Sequence, residues 1–268
     1  MEIIDQIESF KTIQGVFQFS HVEFFILEDG ILYHGTWKDR KTRPRERRQL
    51  ADIQIIIREN RGPWILDSWS VVSGNDSYIK TPKLFAYLAG AALEKQILRE
   101  VETCELLRRH PHRNIAIYHG CQNTRNRVSG LCFKRYSVTL FEAANPRHYG
   151  KNHFRESGRE FVTEPIKAAL NGILDGIRHL HSLGLVHNDI NPANIMLDEN
   201  NVPVLIDFDS CRRIGESLRD TRAKRTHEWH DPEVEVAAEK NDLDAFTDLK
   251  TWLIGQESQT YLFSSGGE

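Results

Sequence analysis

The sequence predicts an α+β fold in two lobes: a first lobe with mixed sheet and one major helix, then a mainly helical second lobe. Three observations carry that expectation. Up to Tyr136 the chain consists mostly of short apolar runs rich in Ile, Val, Phe, Tyr and Trp, broken by Gly, Asp, Asn, Ser and Pro, and such runs read as strands. One long segment, Leu84 to Arg109, spaces its apolar residues at a helical period, and Ile166 to Leu180 does the same after a polar stretch. The 268 residues are 40% hydrophobic and 27% charged with a net charge of -3, ordinary for a globular domain. Disorder, collagen and coiled coil are excluded as descriptions of the whole chain, and the strongly basic balance of a dedicated nucleic-acid binder is missing. The length supports one large domain or two modest ones.

Taken in order, Val22 to Leu27 and Ile31 to Trp37 flank Asp29-Gly30, a strong hairpin signal. Lys38 to Arg48 follows, with seven Lys or Arg among eleven residues. It reads as a solvated loop, because no aromatic residue interleaves to stack on bases; a nuclear-import or phosphate-binding patch is the sharper alternative. Ile53 to Ile57, Ile65 to Val72 and Ser77 to Lys80 read as strands, with a turn at Ser73-Gly74-Asn75-Asp76 and a stop at Pro82. Leu93, Ile97, Val101, Cys104 and Leu107 form one face of the first long helix. Ile115 to His119 and Gly130 to Tyr136 are further strands, and Asn145 to Gly158 is polar and linker-like. Ile166, Leu170, Ile173, Ile177 and Leu180 line a second helix ending near Gly184. Two short strands, Ile195 to Leu197 and Val204 to Ile206, precede a charged tail with one more helix candidate.

The four cysteines, Cys104, Cys121, Cys132 and Cys211, include no C-x-x-C pair, so neither a zinc framework nor a disulfide scaffold is expected. No basic n-region with an apolar core opens the chain, so no signal peptide is expected. The best apolar stretch, Leu84 to Leu93, is shorter than the ~20 residues a bilayer span requires. These readings imply a soluble, cytoplasmic protein with reduced thiols and no membrane partner, a nuclear address being the alternative that Lys38 to Arg48 offers.

The chemically informative stretch runs from Leu185 to Ser210. After a helix ending at Gly184, a loop presents Asp189, with Asn194 five positions on and Asp207 thirteen beyond that, at the end of an apolar strand. Two short strands around Glu199-Asn200-Asn201 bring Asn194 and Asp207 to one end of a hairpin. Both offer hard oxygens, which suit Mg²⁺ together with phosphate and water oxygens. Asp189 is placed to accept a proton from an attacking hydroxyl.

His187-Asn188-Asp189-Ile190-Asn191-Pro192-Ala193-Asn194 followed by Asp207-Phe208-Asp209 resembles the catalytic core of the eukaryotic protein kinases, H-R-D-L-x-x-x-N and D-F-G. The resemblance implies a bilobal protein-kinase-like fold using ATP and Mg²⁺ to phosphorylate a Ser/Thr hydroxyl of a protein; Pro192 matches the Ser/Thr pattern. It implies Asp189 as base, Asn194 and Asp207 on the metal, and Asn191 where the family places a phosphate-stabilising lysine. Ser77-Tyr78-Ile79-Lys80 resembles V-A-I-K, so Lys80 would hold the α- and β-phosphates. Glu100, ahead of His112-Arg113-Asn114-Ile115, would orient that lysine, with Glu102 and Glu105 solvated. Leu131 to Tyr136 would be the hinge along which adenine lies, with Phe133 as gatekeeper beside Lys134 and Tyr136. Thr226-His227-Glu228-Trp229-His230-Asp231-Pro232-Glu233 resembles T-x-x-Y-x-A-P-E, and Asp242 would brace the catalytic loop. The implied division is 1–136 for the first lobe and 137–268 for the second, one bilobal unit.

Departures from the pattern are specific. No G-x-G-x-x-G precedes Lys80, and Gly62 and Gly74 are isolated. Asn188 replaces the arginine that reads an activation-loop phosphate, which implies activity independent of phosphorylation there. Asn191 is neutral where the family has lysine. Asp209 replaces a glycine that permits positive φ. Only 35 residues follow Glu233, so the second lobe reads as shortened at its end, with Glu233 pairing to another arginine or that end loose. Two other readings remain open: a pseudokinase binding module, and a small-molecule phosphotransferase resembling the aminoglycoside and choline kinases, whose I-D-[FW]-[DE] fits Ile206-Asp207-Phe208-Asp209. Nothing in the sequence sets an oligomeric state or predicts a nucleic-acid partner.

Overall fold

The structure is a computed structural model that describes residues 1–13, 16–58, 61–73, 77–89, 91–219, 225–256 and 258–263. Two features of the sequence reading, the turn glycine Gly74 with its neighbours and Thr221, lie outside the described residues. The chain forms two compact units: Met1–Leu66 with Lys80–Ile97 and Gln122–Gly130, and Asp67–Ile79 with Leu98–Cys121 and Leu131–Glu268.

The first unit is built on a four-stranded antiparallel meander, β1 (Glu2–Ile13), β2 (Val16–Glu28), β3 (Ile31–Trp37) and β4 (Ala51–Ile55), in that spatial order. The β2–β3 hairpin turns on Asp29 (φ 52°) and Gly30 (φ 76°), the two positive φ angles that match the right-handed twist of the strands. One face gathers Val22, Phe24, Ile26, Tyr33 and Leu50 into a buried cluster. Leu50 reaches that face because Gly35 lacks a Cβ, which would stand 2.9 Å from the Leu50 Cβ. On the opposite face Phe25 is buried edge-on against Phe85, with ring centroids 4.8 Å apart. Strand β1 carried no clear sequence signal: its charged and apolar residues do not alternate, and pairing with β2 is interrupted by two register shifts.

Between the meander and the long helix, the expected strand from Ile65 to Val72 makes only isolated bridges, Trp64 to Arg127 and Val71 to Cys121. Its residues are apolar enough for a strand, but no continuous partner edge runs beside them. Strand β5 (Tyr78–Lys80) follows. The expected helix splits into a 3-10 segment, Leu84–Ala89, and α1 (Ala91–Arg109). Strands β6 (Tyr118–Thr124) and β7 (Arg127–Phe133) complete a sheet in the order β5-β7-β6.

In the second unit, β8 (Val138–Thr139) leads into α2 (Leu140–Ala144), where Thr139 and Glu142 form a capping box. The stretch read as a linker holds α3 (Lys151–Glu156), with Lys151 and Phe154 buried. Helix α4 (Glu164–Ser182) buries Ile166, Leu170, Ile173, Ile177 and Leu180 on one face, the face its periodicity marks. At Gly176 a Cβ would lie 2.9 Å from the Asn114 carbonyl, so this glycine lets α4 approach its neighbour closely. Strands β9 (Leu185–Val186), β10 (Ile195–Leu197), β11 (Pro203–Leu205) and β12 (Arg212–Arg213) are short: β10 pairs with β11 and β8, and β9 with β12. Helix α5 (Glu239–Ile254) buries Trp252, which stacks on Phe154 at 4.3 Å.

All four cysteines are buried and unbridged. Burial pushes the Cys121 thiol up to about 11 and raises those of Cys132 and Cys211 as well. Native protein at neutral pH is therefore expected to react slowly with a thiolate-directed reagent such as iodoacetamide, with labelling at these three sites appearing on denaturation; fast labelling of the native state would contradict the burial.

Candidate active site

The loop between β9 and β10 is fixed by one carboxylate. Asp242, in the first turn of α5, is fully buried. Its Oδ2 accepts the His187 amide at 2.8 Å and His181 Nε2 at 2.9 Å, and its Oδ1 accepts the Asn188 amide at 2.8 Å. Asn188 adopts φ 63°, a left-handed conformation that Asn tolerates better than most residues. Its side chain donates to the carbonyls of Val186 and Ser210 and accepts from Asn241 Nδ2 at 3.0 Å. His187 Nε2 meets the Ile206 carbonyl at 3.0 Å while Nδ1 faces the Asp189 amide at 3.3 Å, so an Nε2–H tautomer satisfies both contacts.

Asp189 is buried at the tip of this arrangement. Its Oδ1 accepts the Thr226 amide at 2.7 Å; its Oδ2 accepts Asn194 Nδ2 at 2.7 Å and the Thr226 hydroxyl at 3.1 Å. A carboxylate offers about four acceptor positions, so one remains for an incoming donor. Asn191 caps the 3-10 turn Pro192–Asn194 through its Oδ1 and donates from Nδ2 to the Asp189 carbonyl at 3.1 Å and Thr226 Oγ1 at 3.0 Å. This short side chain ties loop to activation segment, and it carries no charge.

Ile195 pairs with Leu205, and the Ile206 amide donates to the Asn194 carbonyl at 3.0 Å. Asn194 and Asp207 therefore stand at the same end of one hairpin. With Nδ2 of Asn194 directed at Asp189, its amide oxygen is the atom left to join the Asp207 carboxylate as a hard donor set, and this chemistry fits Mg²⁺. The left-handed backbone in this segment falls on Asp207, with φ 64°, not on Asp209 as expected. Asp209 sits inside the 3-10 turn Phe208–Ser210, where right-handed angles serve and glycine is not needed.

The other predicted residues take these places. Lys80 ends β5 and is half-buried in the first unit, while Glu100 is buried on α1 in the second. Glu102 is exposed, but Glu105 is buried, contrary to expectation: it accepts the Ser70 amide at 2.8 Å and Arg108 Nε at 3.2 Å. Phe133 is buried against Tyr118, with centroids 5.4 Å apart. The Lys134 amide is committed to the Ile117 carbonyl at 2.9 Å, and the Tyr136 hydroxyl accepts the Ile117 amide at 3.2 Å. Beside α1 and β12 lies a cavity of about 560 Å³ whose lining includes Arg99, Arg109, Arg212, Arg213 and Glu102. Arg212 is buried, and its Nε has no hydrogen-bond partner among the described residues.

Sequence reasoning missed the anchor of the activation segment. Lys151 Nζ donates to the Glu228 carbonyl at 2.6 Å, to Asp248 Oδ2 at 2.7 Å and to the Phe263 carbonyl at 2.8 Å. It lies 4.5 Å from the Trp229 ring centroid and 4.3 Å from that of Tyr261. Burial pulls the Lys151 ammonium down while Asp248 opposes the shift. Asp248 also accepts the amides of Leu262 and Phe263, and Arg159 donates to the carbonyls of Thr251, Trp252 and Gly255 at the end of α5. The described residues after Glu233, as far as Phe263, are thus tied down rather than loose. Glu233 itself is exposed and makes no ion pair among the described residues. The only sequence signal was a basic residue in a stretch otherwise read as linker.

Comparison with known proteins agrees with this geometry. The family model described as protein kinase domain matches residues 79–252. Serine/threonine-protein kinase Tao of Drosophila melanogaster is 29% identical over 178 residues, covering 65% of this chain and 15% of that protein. Death-associated protein kinase 2 of Homo sapiens is 28% identical over 193 residues, 70% of this chain and 46% of that protein. MAP kinase kinase kinase SSK2 of Saccharomyces cerevisiae is 33% identical over 122 residues, 44% of this chain and 7% of that protein. The chain spans less than half the length of each of these relatives.

Replacing Lys151 by Met leaves the Asp248 carboxylate buried without its cation. A loss of about 3–5 kcal/mol in denaturant unfolding is expected, with a smaller loss for Lys151→Met combined with Asp248→Leu than for the sum of the two single changes. Strict additivity would contradict the buried pair.

Proposed function

The chain belongs to the protein kinase family, and within it we propose a cytoplasmic, ATP-dependent kinase that transfers a phosphoryl group to a Ser/Thr hydroxyl of a protein substrate. The observation that carries this reading is the state of Asp189: three donors fix its carboxylate, and one acceptor position is left. A substrate hydroxyl that donates there is oriented for attack, and Asp189 takes its proton as the new P–O bond forms and the bond from the γ-phosphorus to the bridging oxygen breaks, ADP leaving with that oxygen. Because the donors that hold the base belong to Thr226 and Asn194, its geometry depends on the activation segment and the metal-facing hairpin together.

Asn194 and Asp207 are the residues that would hold Mg²⁺, which when bound neutralises phosphate charge and aligns the transferred group. Family resemblance assigns Lys80 to the nucleotide phosphates and Glu100 to orienting Lys80. An adenine ring beside Phe133 takes no hydrogen bond from the Lys134 amide, which serves Ile117; the backbone at Arg135 and Tyr136 is left for it. Asn191 offers no charge to the transferred phosphoryl group. Loss of one such donor commonly costs about 10²–10³ in rate, so slow turnover is expected.

A binding module is the second reading, and a specific observation favours it. Among the described residues β5 has a neighbour strand only on the β7 side, with no hairpin paired to its other edge. Gly62 is explained by packing, since its Cβ would meet the Val128 carbonyl oxygen at 1.8 Å.

Incubation with labelled ATP and Mg²⁺, against generic protein substrates and a panel of small alcohols and aminosugars, separates the readings. Transfer to protein that falls by about 10²–10⁴-fold in Asp189→Ala is the expected result. Transfer only to the small alcohols would move the chain to small-molecule phosphorylation. No transfer and no nucleotide-induced shift in melting would leave the binding module.

Asn188 occupies the position of the phosphate-reading arginine, carries no charge and is engaged with Val186, Ser210 and Asn241, so turnover is expected to be unchanged in Ser217→Ala and Thr221→Ala. The arginines of the cavity beside α1 are the alternative reader. Loss of activity in either variant, measured with the same assay, would contradict this independence.

A further inference from the structure

The meander of the first unit precedes the family-matched segment, and its most charged element is not used by the site. Lys38 to Arg48 carries a net +5 within a chain of net -3. All its basic residues are exposed except Arg47, which is half-buried. The loop is built, not slack: Trp37 Nε1 donates to the Thr42 carbonyl at 3.2 Å, Pro44 is buried, and Gln49 Oε1 accepts the amides of Arg45 and Glu46. Lys38, Lys41, Arg43 and Arg45 make no ion pair among the described residues.

This loop lies on the sheet face that carries Tyr33. The Arg47 guanidinium stands 4.3 Å over the Tyr33 ring, and Arg40 pairs with Glu8 at 2.7 Å, next to Val22 of the same face. Register then brings an apolar row to the loop. Ile55 is the cross-strand neighbour of Tyr33, Ile53 shares its face on β4, and Ile57 follows just past the strand's end. These three isoleucines, on the edge strand β4 and its extension, are 42%, 56% and 48% exposed.

We infer that this face docks the first unit on an anionic phospholipid bilayer. Branched aliphatics beside unpaired cations suit the boundary between headgroups and acyl chains, and basic clusters are drawn to anionic leaflets. Nucleic acid fits less well, because three aromatic rings of this face already lie under arginines, Tyr33 under Arg47 and Phe10 and Phe19 under Arg40, and Trp37 packs on the core cluster with its Nε1 bound to Thr42, whereas a base-binding surface presents open rings. The docking needs no spanning segment, and among the described residues no helix is long and apolar enough to cross a membrane. It goes beyond the expectation of no membrane partner, which considered only spanning segments.

Co-sedimentation of the full chain with vesicles, without nucleotide, tests this apart from any kinase activity. The protein is expected to bind phosphatidylcholine–phosphatidylserine vesicles and not phosphatidylcholine alone, and to release as salt is raised. Lys41→Glu/Arg43→Glu/Arg45→Glu is expected to weaken binding at least about tenfold, and Ile55→Ser/Ile57→Ser to weaken it at unchanged charge, both with the parent's melting temperature. Equal binding to neutral vesicles, full binding by the charge-reversed variant, or failure to bind vesicles while binding a single-stranded RNA or a polyglutamate peptide would overturn the proposal.

Discussion

The carboxylate of Asp242 holds two consecutive amides, those of His187 and Asn188, and the ring of His181. Two adjacent amides can point at one carboxylate only if the backbone between them bends sharply, and the φ of 63° at Asn188 is that bend. Everything that follows in the loop inherits its direction. Asp189 emerges from the bend toward Asn194 and Thr226, and His187 is turned to grip the Ile206 carbonyl just before Asp207. A buried carboxylate without such donors would carry a heavy desolvation cost; the donors offset that cost, and the bent loop is the geometry in which they converge.

A second buried charge joins the remaining parts of the same unit. Lys151 links α3, the carbonyl of Glu228, Asp248 of α5 and the carbonyl of Phe263. Trp229, stacked near that ammonium, sends its amide to the Thr226 carbonyl at 3.1 Å, and His230 Nδ1 reaches the same carbonyl at 2.8 Å. Thr226 in turn holds Asp189. Asp189 is thus fixed from two directions, by Asp242 through the loop backbone and by Lys151 through the segment around Thr226. Each anchor is a charge placed where water is excluded, so each is strong only while all its partners are present.

The meander of the first unit follows a different logic. Its buried face is conventional packing, but its loop and edge strand keep cations and isoleucines in the open, a combination that folding alone does not require. This region lies before the family-matched segment.

Much of the site was legible in the sequence because its residues are local. Asp189, Asn194 and Asp207 are spaced by one turn and one short hairpin, and alternation and turn residues fix such spacing before any tertiary contact forms. The periodicity of α4 and the Asp29-Gly30 hairpin were legible for the same reason. The rest depends on distant partners. Glu105 looks like a solvated helix residue until Ser70 brings an amide to it, and Asp209 looks strained until a 3-10 turn moves the left-handed angle to Asp207. Lys151 and Asp248, 97 residues apart, become a pair only when their helices pack, and Ile55 meets the basic loop only through the register of β3 with β4. By itself the sequence determined which groups could do the chemistry and their order along the chain. The tertiary structure decided which charges are buried together and which stay exposed, because burial and pairing are properties of what surrounds a residue.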